Sequence, residues 1–362
     1  MMKLSDVCTK GTSNIAQKDL DACNGTYPIY GASGFIKNVD FYHQEKPYVA
    51  IVKDGAGVGR VMQLPARSSV IGTMQYIIPN EGVSVEYLAY ALEHMNLSKY
   101  YLGAAIPHIY FKDYCNESLP NYTPEEQARI SQILGVVCNL ISLRKQQLSK
   151  LDELVKSRFI EMFGDPIYNE KRWLTDSVEN VCSDIYGGGT PSKAHPEYYE
   201  NGDIPWVSSK DMKSSILYDS QIRINQLGVD NSTAKIVPIN SVIMVIRSGI
   251  LKHTLPVAIN AVPITVNQDL KVFVPSQRIT SLFLMYLFKM LEKDILSGVR
   301  AVTADNIEFN SLKERMIIVP PIDLQLEFVT FVEQTDKSKF EIQKSLEKLE
   351  TLKKALMQKY FG

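Results

Sequence analysis

The sequence has few cysteines and none of the spacings that build a metal site or a disulfide framework. The five cysteines form no Cys-x-x-Cys pair, and the five histidines are scattered, with none at metal-ligand spacing from another. These absences predict reduced structural thiols, core or surface histidines, no bound metal and no cofactor. The cysteines are Cys8, Cys23, Cys115, Cys138 and Cys182.

Long hydrophobic runs and an excess of charge are missing as well. No uninterrupted apolar stretch is long enough to cross a bilayer, and no basic-then-apolar leader follows Met1, so we expect a cytoplasmic protein without a membrane partner. The formal net charge of −1 disfavours a protein that coats nucleic acid indiscriminately. DNA reading would therefore depend on a few placed Lys and Arg side chains, or on a more basic partner.

Familiar catalytic motifs are also missing. The sequence has no Gly-x-x-x-x-Gly-Lys-Ser/Thr phosphate loop, no His-Glu-x-x-His and no Gly-x-Ser-x-Gly. The glycine-rich residues 55–60 follow a predicted strand at Tyr48–Val52, but they lead into Val61 and Pro65 rather than a helix. This context favours a hairpin turn over a dinucleotide-binding loop, which needs a helix N-terminus facing the phosphates.

One further segment superficially approaches a catalytic motif. Residues 165–168, Asp-Pro-Ile-Tyr, resemble the Asn/Asp-Pro-Pro-aromatic sequence of adenine methyltransferases, but Ile167 replaces the second proline. The segment directly follows Gly164, where a helix is predicted to end. Helix termination therefore explains it, and we expect no catalytic residues, no methyl transfer and no DNA cleavage by the chain itself.

The chain does contain an internal repeat. Its 362 residues exceed one ordinary core, and the two halves align at a shift of about 194 to 198 residues. Leu-Asp-Glu-Leu at 151–154 with Phe-Gly at 163–164 matches Leu-Glu-Thr-Leu at 349–352 with Phe-Gly at 361–362. Upstream, Pro124 to Gln127 parallels Pro321 to Gln325. Each half is interpreted as a strand-rich module followed by a helix of about 40 residues.

The two predicted helices are too long for a single globular core. The first runs from Pro124 to Met162, about 58 Å at 1.5 Å per residue, with apolar residues at threes and fours and a stop at Gly164. The second runs from Pro321 to Tyr360. We expect the two to pair antiparallel within the chain. Packing on separate cores, or an intermolecular coiled coil, is the alternative.

Two short motifs carry a resemblance to a known family. Triple glycine at 187–189 with Thr190-Pro191-Ser192, an Ile-Pro-Trp strand at 204–206 and Lys-Asp at 210–211 resemble the target-recognition domain of the specificity subunit of type I restriction-modification enzymes. Tyr-Pro-Ile-Tyr-Gly-Ala-Ser-Gly at 27–34 resembles another common version of that domain. The organisation of two modules and two helices extends the resemblance over essentially the whole chain.

The resemblance implies an α+β fold of two strand-rich target-recognition domains joined by two long antiparallel coiled-coil helices, as a pseudo-two-fold internal repeat. The domains would be 1–122, the central helix 123–164, the second domain 165–319 and the C-terminal helix 320–362. Each domain would read one half of a split, asymmetric double-stranded DNA target. The helices would act as a spacer and dock two methyltransferase subunits, with restriction motor-nuclease subunits joining the full complex.

Candidate DNA contacts are polar and basic residues in turns between strands, where side chains project toward a duplex. The basic residues of the long helices are left out as solvated flanks or partner contacts. The alternative is a coiled-coil scaffold whose modules bind proteins. The candidates are Lys53, Arg60, Gln75, His108, Tyr110 and Lys112 in the first module, and Lys193, Lys210, Arg247, Ser248, Lys252, Gln268, Arg300 and Asn306 in the second.

Overall fold

The computed structural model of the chain describes residues 1–102, 107–298, 300–301 and 305–362. These residues divide into two compact units. Unit 1 consists of residues 1–147 and 342–362, and unit 2 of residues 148–341. The structure therefore has two mixed helix-and-sheet units rather than one core, as expected for a chain of this length.

Unit 1 is built around two sheets. The four-stranded sheet has the order β2-β8-β5-β6 and the three-stranded sheet the order β4-β3-β7. The central strand β5 is apolar and buried at every position, and its observed bounds are those predicted from the sequence. The elements are β1 Met2–Lys3, α1 Leu4–Val7, β2 Cys8–Thr12, β3 Tyr27–Gly31, β4 Gly34–Val39, β5 Tyr48–Val52, β6 Val61–Leu64, β7 Ser69–Val70, β8 Met74–Pro79, α2 Val85–His94, α3 Phe111–Tyr114, β9 Ser118–Leu119 and the first part of α4 Pro124–Phe163.

Unit 2 has a closely comparable arrangement. Its larger sheet has the order β11-β18-β15-β16-β13, and its smaller sheet the order β14-β12-β17. The elements are β10 Thr175–Ser177, α5 Val178–Val181, β11 Cys182–Gly187, β12 Ile204–Val207, β13 Ile216–Leu217, β14 Arg223–Ile224, α6 Gln226–Asp230, β15 Val242–Val245, β16 Val257–Asn260, β17 Thr265–Val266, β18 Leu270–Pro275, α7 Ser281–Met290, α8 Glu292–Ser297, β19 Arg300–Ala301, β20 Asp305–Asn306, α9 Phe309–Glu314, β21 Met316–Ile318 and the first part of α10 Ile322–Phe361.

The two long helices contribute to both cores. In unit 1, Leu134 of α4 and Phe361 of α10 are buried in one hydrophobic cluster with the α2 residue Leu88. In unit 2, Phe163 of α4 and Phe328 of α10 lie in the main cluster, with their ring centroids 5.6 Å apart. The phenylalanine of each Phe-Gly ending is thus an anchor in a hydrophobic core.

Within each unit the two helical segments run antiparallel. In unit 1, Lys145 Nζ lies 3.0 Å from Glu350 Oε1, while the Tyr122 hydroxyl, just before α4, donates to the carbonyl of Tyr360 near the end of α10 at 3.2 Å. In unit 2, Lys339 Nζ lies 2.7 Å from Asp152 Oδ1. Arg158, further along α4, pairs with Glu327, earlier on α10, at 2.8 Å.

The observed bounds of these helices agree closely with the predicted ones. Each helix has 40 residues, and each ends one residue beyond the predicted end. Gly164, at φ +76°, adopts the left-handed conformation that ends α4. The Asp-Pro-Ile-Tyr segment after it is a turn, as the termination hypothesis required.

The glycine-rich residues 55–60 connect an antiparallel pair of strands. In this hairpin Tyr48 is paired with Leu64, and Ile51 with Val61. The sequence-based choice of a hairpin over a dinucleotide-binding loop is confirmed. In the described ranges of the chain, no helix combines the length and the apolar character needed to cross a membrane.

Candidate nucleic-acid interface

In unit 2, several polar loops meet at one edge of the sheets. Trp206 of β12 is paired in parallel with Thr265 of β17, and Val245 at the end of β15 faces Leu270 at the start of β18. Gly187, at the end of β11, faces Lys271. The two sheets are linked here because β17 ends at Val266 and β18 begins at Leu270, and the Asn267 N–H donates to the Val207 carbonyl at 3.0 Å. The ends of β11, β12, β15 and β17 and the start of β18 therefore lie on one side of unit 2, which we call loop edge 2.

Arg247 lies on loop edge 2, just after the end of β15, and is held by a carboxylate. Its Nε donates to Asp269 Oδ1 at 2.6 Å, and its Nη2 lies 2.5 Å from the same oxygen. Asn267 in turn donates from Nδ2 to Asp269 Oδ2 at 3.1 Å and accepts from the Asp269 backbone N–H. The Arg247 side chain is 48% exposed and the Asp269 side chain 25%, so the guanidinium remains accessible while its partner is largely covered.

Asn306 lies next to Arg247 through backbone pairing. The two residues form an antiparallel bridge, and the Ile307 N–H donates to the Ile246 carbonyl at 2.8 Å. Asn306 is exposed, so its amide is accessible on the same surface. Arg300 is paired with Asn306 through its backbone, and its side chain lies outside the described part of the structure.

The other candidates of unit 2 also belong to the loops of this edge. Ser248 accepts from the Ile250 N–H and caps the short turn that ends with Lys252, which is exposed. Gln268 is exposed and accepts a hydrogen bond from the Thr190 hydroxyl. Lys193 and Lys210 are exposed in the loops that follow β11 and β12.

The triple glycine and the Ile-Pro-Trp strand of the second module build this edge rather than project from it. Trp206 is buried and donates from its indole Nε1 to the Gly189 carbonyl at 2.9 Å. A Cβ on Gly188 would lie 1.9 Å from the carbonyl oxygen of Val266, so only glycine allows this close approach to β17. The triple glycine and the Ile-Pro-Trp strand are therefore packing features of the loop base.

Unit 1 presents an equivalent edge, which we call loop edge 1. The backbone N–H groups of Lys53 and Asp54, just after β5, donate to the Thr73 carbonyl at 3.0 and 3.2 Å. The Ile109 N–H donates to the Lys53 carbonyl at 2.9 Å, and Asp54 forms an antiparallel bridge with His108. Lys53 Nζ lies 3.8 Å from Asp54 Oδ2, so the two adjacent charges partly offset each other.

Aromatic and basic side chains follow the bridge between Asp54 and His108 along the chain. The His108 and Tyr110 rings are 4.8 Å apart at 70°, and Lys112 Nζ lies 5.3 Å from the Tyr110 ring centroid. Tyr110 is 49% exposed, and Lys112 is exposed as well. Arg60 is exposed in the β5–β6 hairpin, where its Nη1 donates to the Ala32 carbonyl at 2.8 Å. Aromatic rings combined with nearby cations suit a nucleic-acid surface.

Gln75 is the one candidate whose described side chain lies inside the protein. It is 3% exposed, on β8, and its Oε1 accepts a hydrogen bond from the Tyr114 hydroxyl at 3.1 Å. The prediction placed it in a turn between strands, but its side chain points from β8 into the core. We therefore withdraw Gln75 from the set of DNA contacts.

Three further residues belong to these edges and were missed from the sequence. Asp269 holds Arg247, Asn267 holds Asp269, and Asp54 is bridged to His108 on loop edge 1. Cations and neutral hydrogen-bonding groups are the usual contacts to DNA, so such a pattern does not point to acidic side chains. The run Asn-Gln-Asp between two strands was the available signal, because such residues form local side-chain to backbone bonds in turns.

Burial and charge also act on Lys271, at the start of β18. Burial, followed by the nearby Arg247 cation, lowers the pKa of this lysine below its ordinary value. Its Nζ lies 4.4 Å from the centroid of the Phe309 ring.

Among the described residues, no group of three or more His, Cys, Asp or Glu side chains could hold a metal ion.

A family model for the Type I restriction modification DNA specificity domain matches residues 1–153 and 170–354, which together are most of the chain. The chain belongs to this family. The resemblance to type I specificity subunits predicted from the two glycine-containing motifs is thereby confirmed. Each of the two matched specificity domains contains one of the loop edges described above.

Relatives from this type I specificity family are similar to the chain over different lengths. The specificity subunit of the type I restriction enzyme EcoR124I/EcoR124II of Escherichia coli is 37% identical over 153 residues, which are 42% of this chain and 38% of that subunit. The MjaIX specificity subunit of Methanocaldococcus jannaschii is 26% identical over 305 residues, 78% of this chain and 69% of that subunit. The chain thus spans well under half of the E. coli relative.

Solved structures share the fold. The S subunit of a type I restriction-modification system from M. genitalium superposes with a TM-score of 0.64 at 14% identity, covering 100% of this chain and 95% of that one. A chain from a study of complex assembly and conformational transition of the type I R-M system superposes with a TM-score of 0.57 at 16% identity, covering 99% and 96%.

Proposed function

We propose that the chain is the sequence-specific DNA-binding specificity subunit of a type I restriction-modification complex, and that each unit reads one half of a bipartite, asymmetric double-stranded target. The observation that carries the proposal is a common backbone framework at the two loop edges with different side chains on it. Asp54 and His108 occupy in unit 1 the bridged positions that Arg247 and Asn306 occupy in unit 2. Two equivalent backbone frames that carry unlike side chains suit two unlike half-sites.

The same repeat extends to the helices, which supports a pseudo-two-fold organisation. Gln127 of α4 accepts from the backbone N–H of Ser84, and Gln325 of α10 accepts from that of Thr280, both at 2.9 Å. Ser84 and Thr280 cap the equivalent helices α2 and α7. We propose that α4 and α10 form an antiparallel coiled coil between recognition domains at 1–122 and 165–319, with helical segments 123–164 and 320–362.

Partner docking is assigned to these helices. Val136, Leu140 and Leu143 are 55, 38 and 44% exposed on α4, at the spacing of one helix face. Phe340 of α10 is 66% exposed. Exposed apolar side chains on a helix suit a protein partner better than solvent. We propose two methyltransferase subunits as these partners, with restriction motor-nuclease subunits in the full complex, and a cytoplasmic location.

The proposed DNA contacts are the predicted residues without Gln75. Cationic members offer contacts to phosphates or to guanine edges, and amide, hydroxyl and imidazole members offer hydrogen bonds to base edges. They are Lys53, Arg60, His108, Tyr110 and Lys112 in unit 1, and Lys193, Lys210, Arg247, Ser248, Lys252, Gln268, Arg300 and Asn306 in unit 2. No cofactor and no catalytic residue is assigned to the chain itself.

The test is to map methylated adenines in DNA exposed to the chain assembled with its co-expressed methyltransferase subunits. We expect a two-part motif with a fixed gap and unlike halves, and binding that weakens steeply with salt because phosphate contacts release counterions. Methyl transfer by the purified chain alone would contradict the non-catalytic assignment. Absence of sequence-selective, salt-sensitive DNA retention under all conditions would instead favour a protein-binding scaffold.

A further inference from the structure

Arg247, one of the cations assigned to the DNA surface, is held at two of its nitrogens by a single carboxylate oxygen of Asp269. Asp269 Oδ1 contacts Nε and Nη2 of Arg247, so the guanidinium and the carboxylate form a nearly neutral unit. Phosphate binding depends mainly on net positive charge and the counterions it releases. A neutralised arginine is therefore poorly suited to a phosphate. It keeps its directional hydrogen-bond donors, however, because the guanidinium stays protonated.

The donors that remain on Arg247 have a defined arrangement. A guanidinium has five N–H donors, and the contacts with Asp269 use the Nε hydrogen and one Nη2 hydrogen. The two Nη1 hydrogens and the second Nη2 hydrogen remain at the opposite end of the fork. A parallel pair of N–H donors at this spacing matches the O6 and N7 acceptors of guanine in the major groove.

We propose that Arg247 reads a guanine in the half-site of unit 2, and that Asp269 is its positioning residue. The proposal rests on the DNA-reading function proposed above and adds the base and the residue that sets its recognition. Asp269 binds the Nε side of the guanidinium and leaves the edge formed by Nη1 and Nη2 directed outward. Asn267 restrains Asp269 through two hydrogen bonds. Arg247 is therefore partly ordered before DNA binds, and it loses less conformational entropy on binding.

Unit 1 provides an internal contrast. At the position of Arg247 it carries Asp54, and the Thr73 carbonyl takes the backbone bonds that the Asp269 carbonyl takes in unit 2. Thr73 has no carboxylate with which to orient an arginine. The guanine-reading device is therefore confined to unit 2, and changes to it should leave the other half-site unaffected.

The experiment selects target sequences from a randomised duplex pool with the full chain in complex with its co-expressed methyltransferase subunits. For the unaltered chain we expect a bipartite motif with an invariant guanine in one half. Arg247→Ala should abolish the preference at that position alone, with about a 5- to 150-fold loss of discrimination. Asp269→Asn should weaken the same preference while the unfolding midpoint of the chain stays unchanged.

A modified base identifies the contact directly. The selected duplex is made with 7-deazaguanine at the invariant position, which removes the N7 acceptor. We expect this probe to bind the unaltered complex more weakly than the guanine duplex, and the Arg247→Ala complex equally well with either duplex. Equal effects of the probe on both complexes would overturn the proposal.

Arg278 and Asp176 provide the matched control. They form a 2.7 Å ion pair with side chains 50 and 24% exposed, close to the 48 and 25% of Arg247 and Asp269. Arg278 follows the end of β18, opposite loop edge 2. Arg278→Ala should leave the motif unchanged. A uniform loss of affinity in Arg247→Ala with an unchanged motif would refute guanine reading but not the proposed function, whereas no motif for the unaltered complex would refute both.

Discussion

Replacement of Gln325 by methionine tests how the long helix is attached to its unit. The Gln325 side chain is fully buried. Its Oε1 accepts from the Thr280 N–H at 2.9 Å, and its Nε2 donates to the carbonyls of Pro320 and Arg278 at 2.9 and 3.1 Å. One side chain therefore joins the start of α10, the N-cap of α7 and the segment before it. Methionine fills a similar volume and makes none of these bonds.

The expected loss of stability follows from the three bonds. A neutral hydrogen bond contributes about 1 kcal/mol net, and a buried group left without a partner costs about 1 to 3 kcal/mol. Gln325→Met should therefore lower the free energy of unfolding of unit 2 by about 3 kcal/mol. Gln127 makes only two bonds near 3.0 Å, with a third at 3.5 Å. Gln127→Met should lower that of unit 1 by about 2 kcal/mol.

The assay is urea unfolding combined with hydrogen exchange, because exchange resolves peptides of the two units. Gln325→Met should accelerate exchange in α7 and leave α2 unchanged, and Gln127→Met should do the reverse. Gln334 and Gln132 are exposed on the same two helices and provide matched controls. Their replacement by methionine should change stability by no more than about 0.5 kcal/mol.

A specific result would refute this reasoning. If Gln325→Met destabilised the chain no more than Gln334→Met, the buried amide would contribute nothing beyond its volume. If either buried substitution accelerated exchange equally in α2 and α7, the assignment of each glutamine to its own unit would be incorrect. If a substitution unfolds its own unit completely, hydrogen exchange in the other unit stays unchanged and serves as the internal reference that identifies this outcome.

Three other predictions concern single sites. Gly188→Ala should destabilise unit 2, because its Cβ would lie 1.9 Å from a backbone carbonyl oxygen, whereas Gly249→Ala, with nothing within 4 Å, should leave the melting temperature nearly unchanged. Phe163→Ala should lower the free energy of unfolding by about 4 kcal/mol, and Phe361→Ala should lower it by less, since Phe163 is 0% and Phe361 7% exposed. Equal losses would contradict this prediction. Burial raises the pKa of the Cys8 thiol from 9.0 to about 12, so iodoacetamide should alkylate this thiol slowly at pH 8. The contribution of the buried, protonated thiol to stability is complete below pH 9 and falls as the pH rises toward 12. Rapid alkylation of Cys8 in the folded chain would show that the thiol is accessible.

Local features of the chain were determined by the sequence itself. The periodic apolar positions, the proline at the start of each helix and the glycine after its end placed α4 and α10 to within one or two residues. The absence of a helix after residues 55–60 identified a hairpin. Backbone hydrogen bonds of helices and hairpins join residues a few positions apart, so the signals that specify them lie within a short window.

Contacts between distant residues were decided only by the tertiary structure. Gln75 is a polar residue in a strand, and the direction of its side chain depends on which face of the sheet is covered. Asp269 pairs with Arg247, 22 residues away, because the register of β15 and β18 brings the ends of these strands together. Such pairing is a property of strand register and sheet order, which depend on the packing of the whole unit. The repeat was therefore readable from the sequence, while the side chains that its loops present side by side were set by the fold.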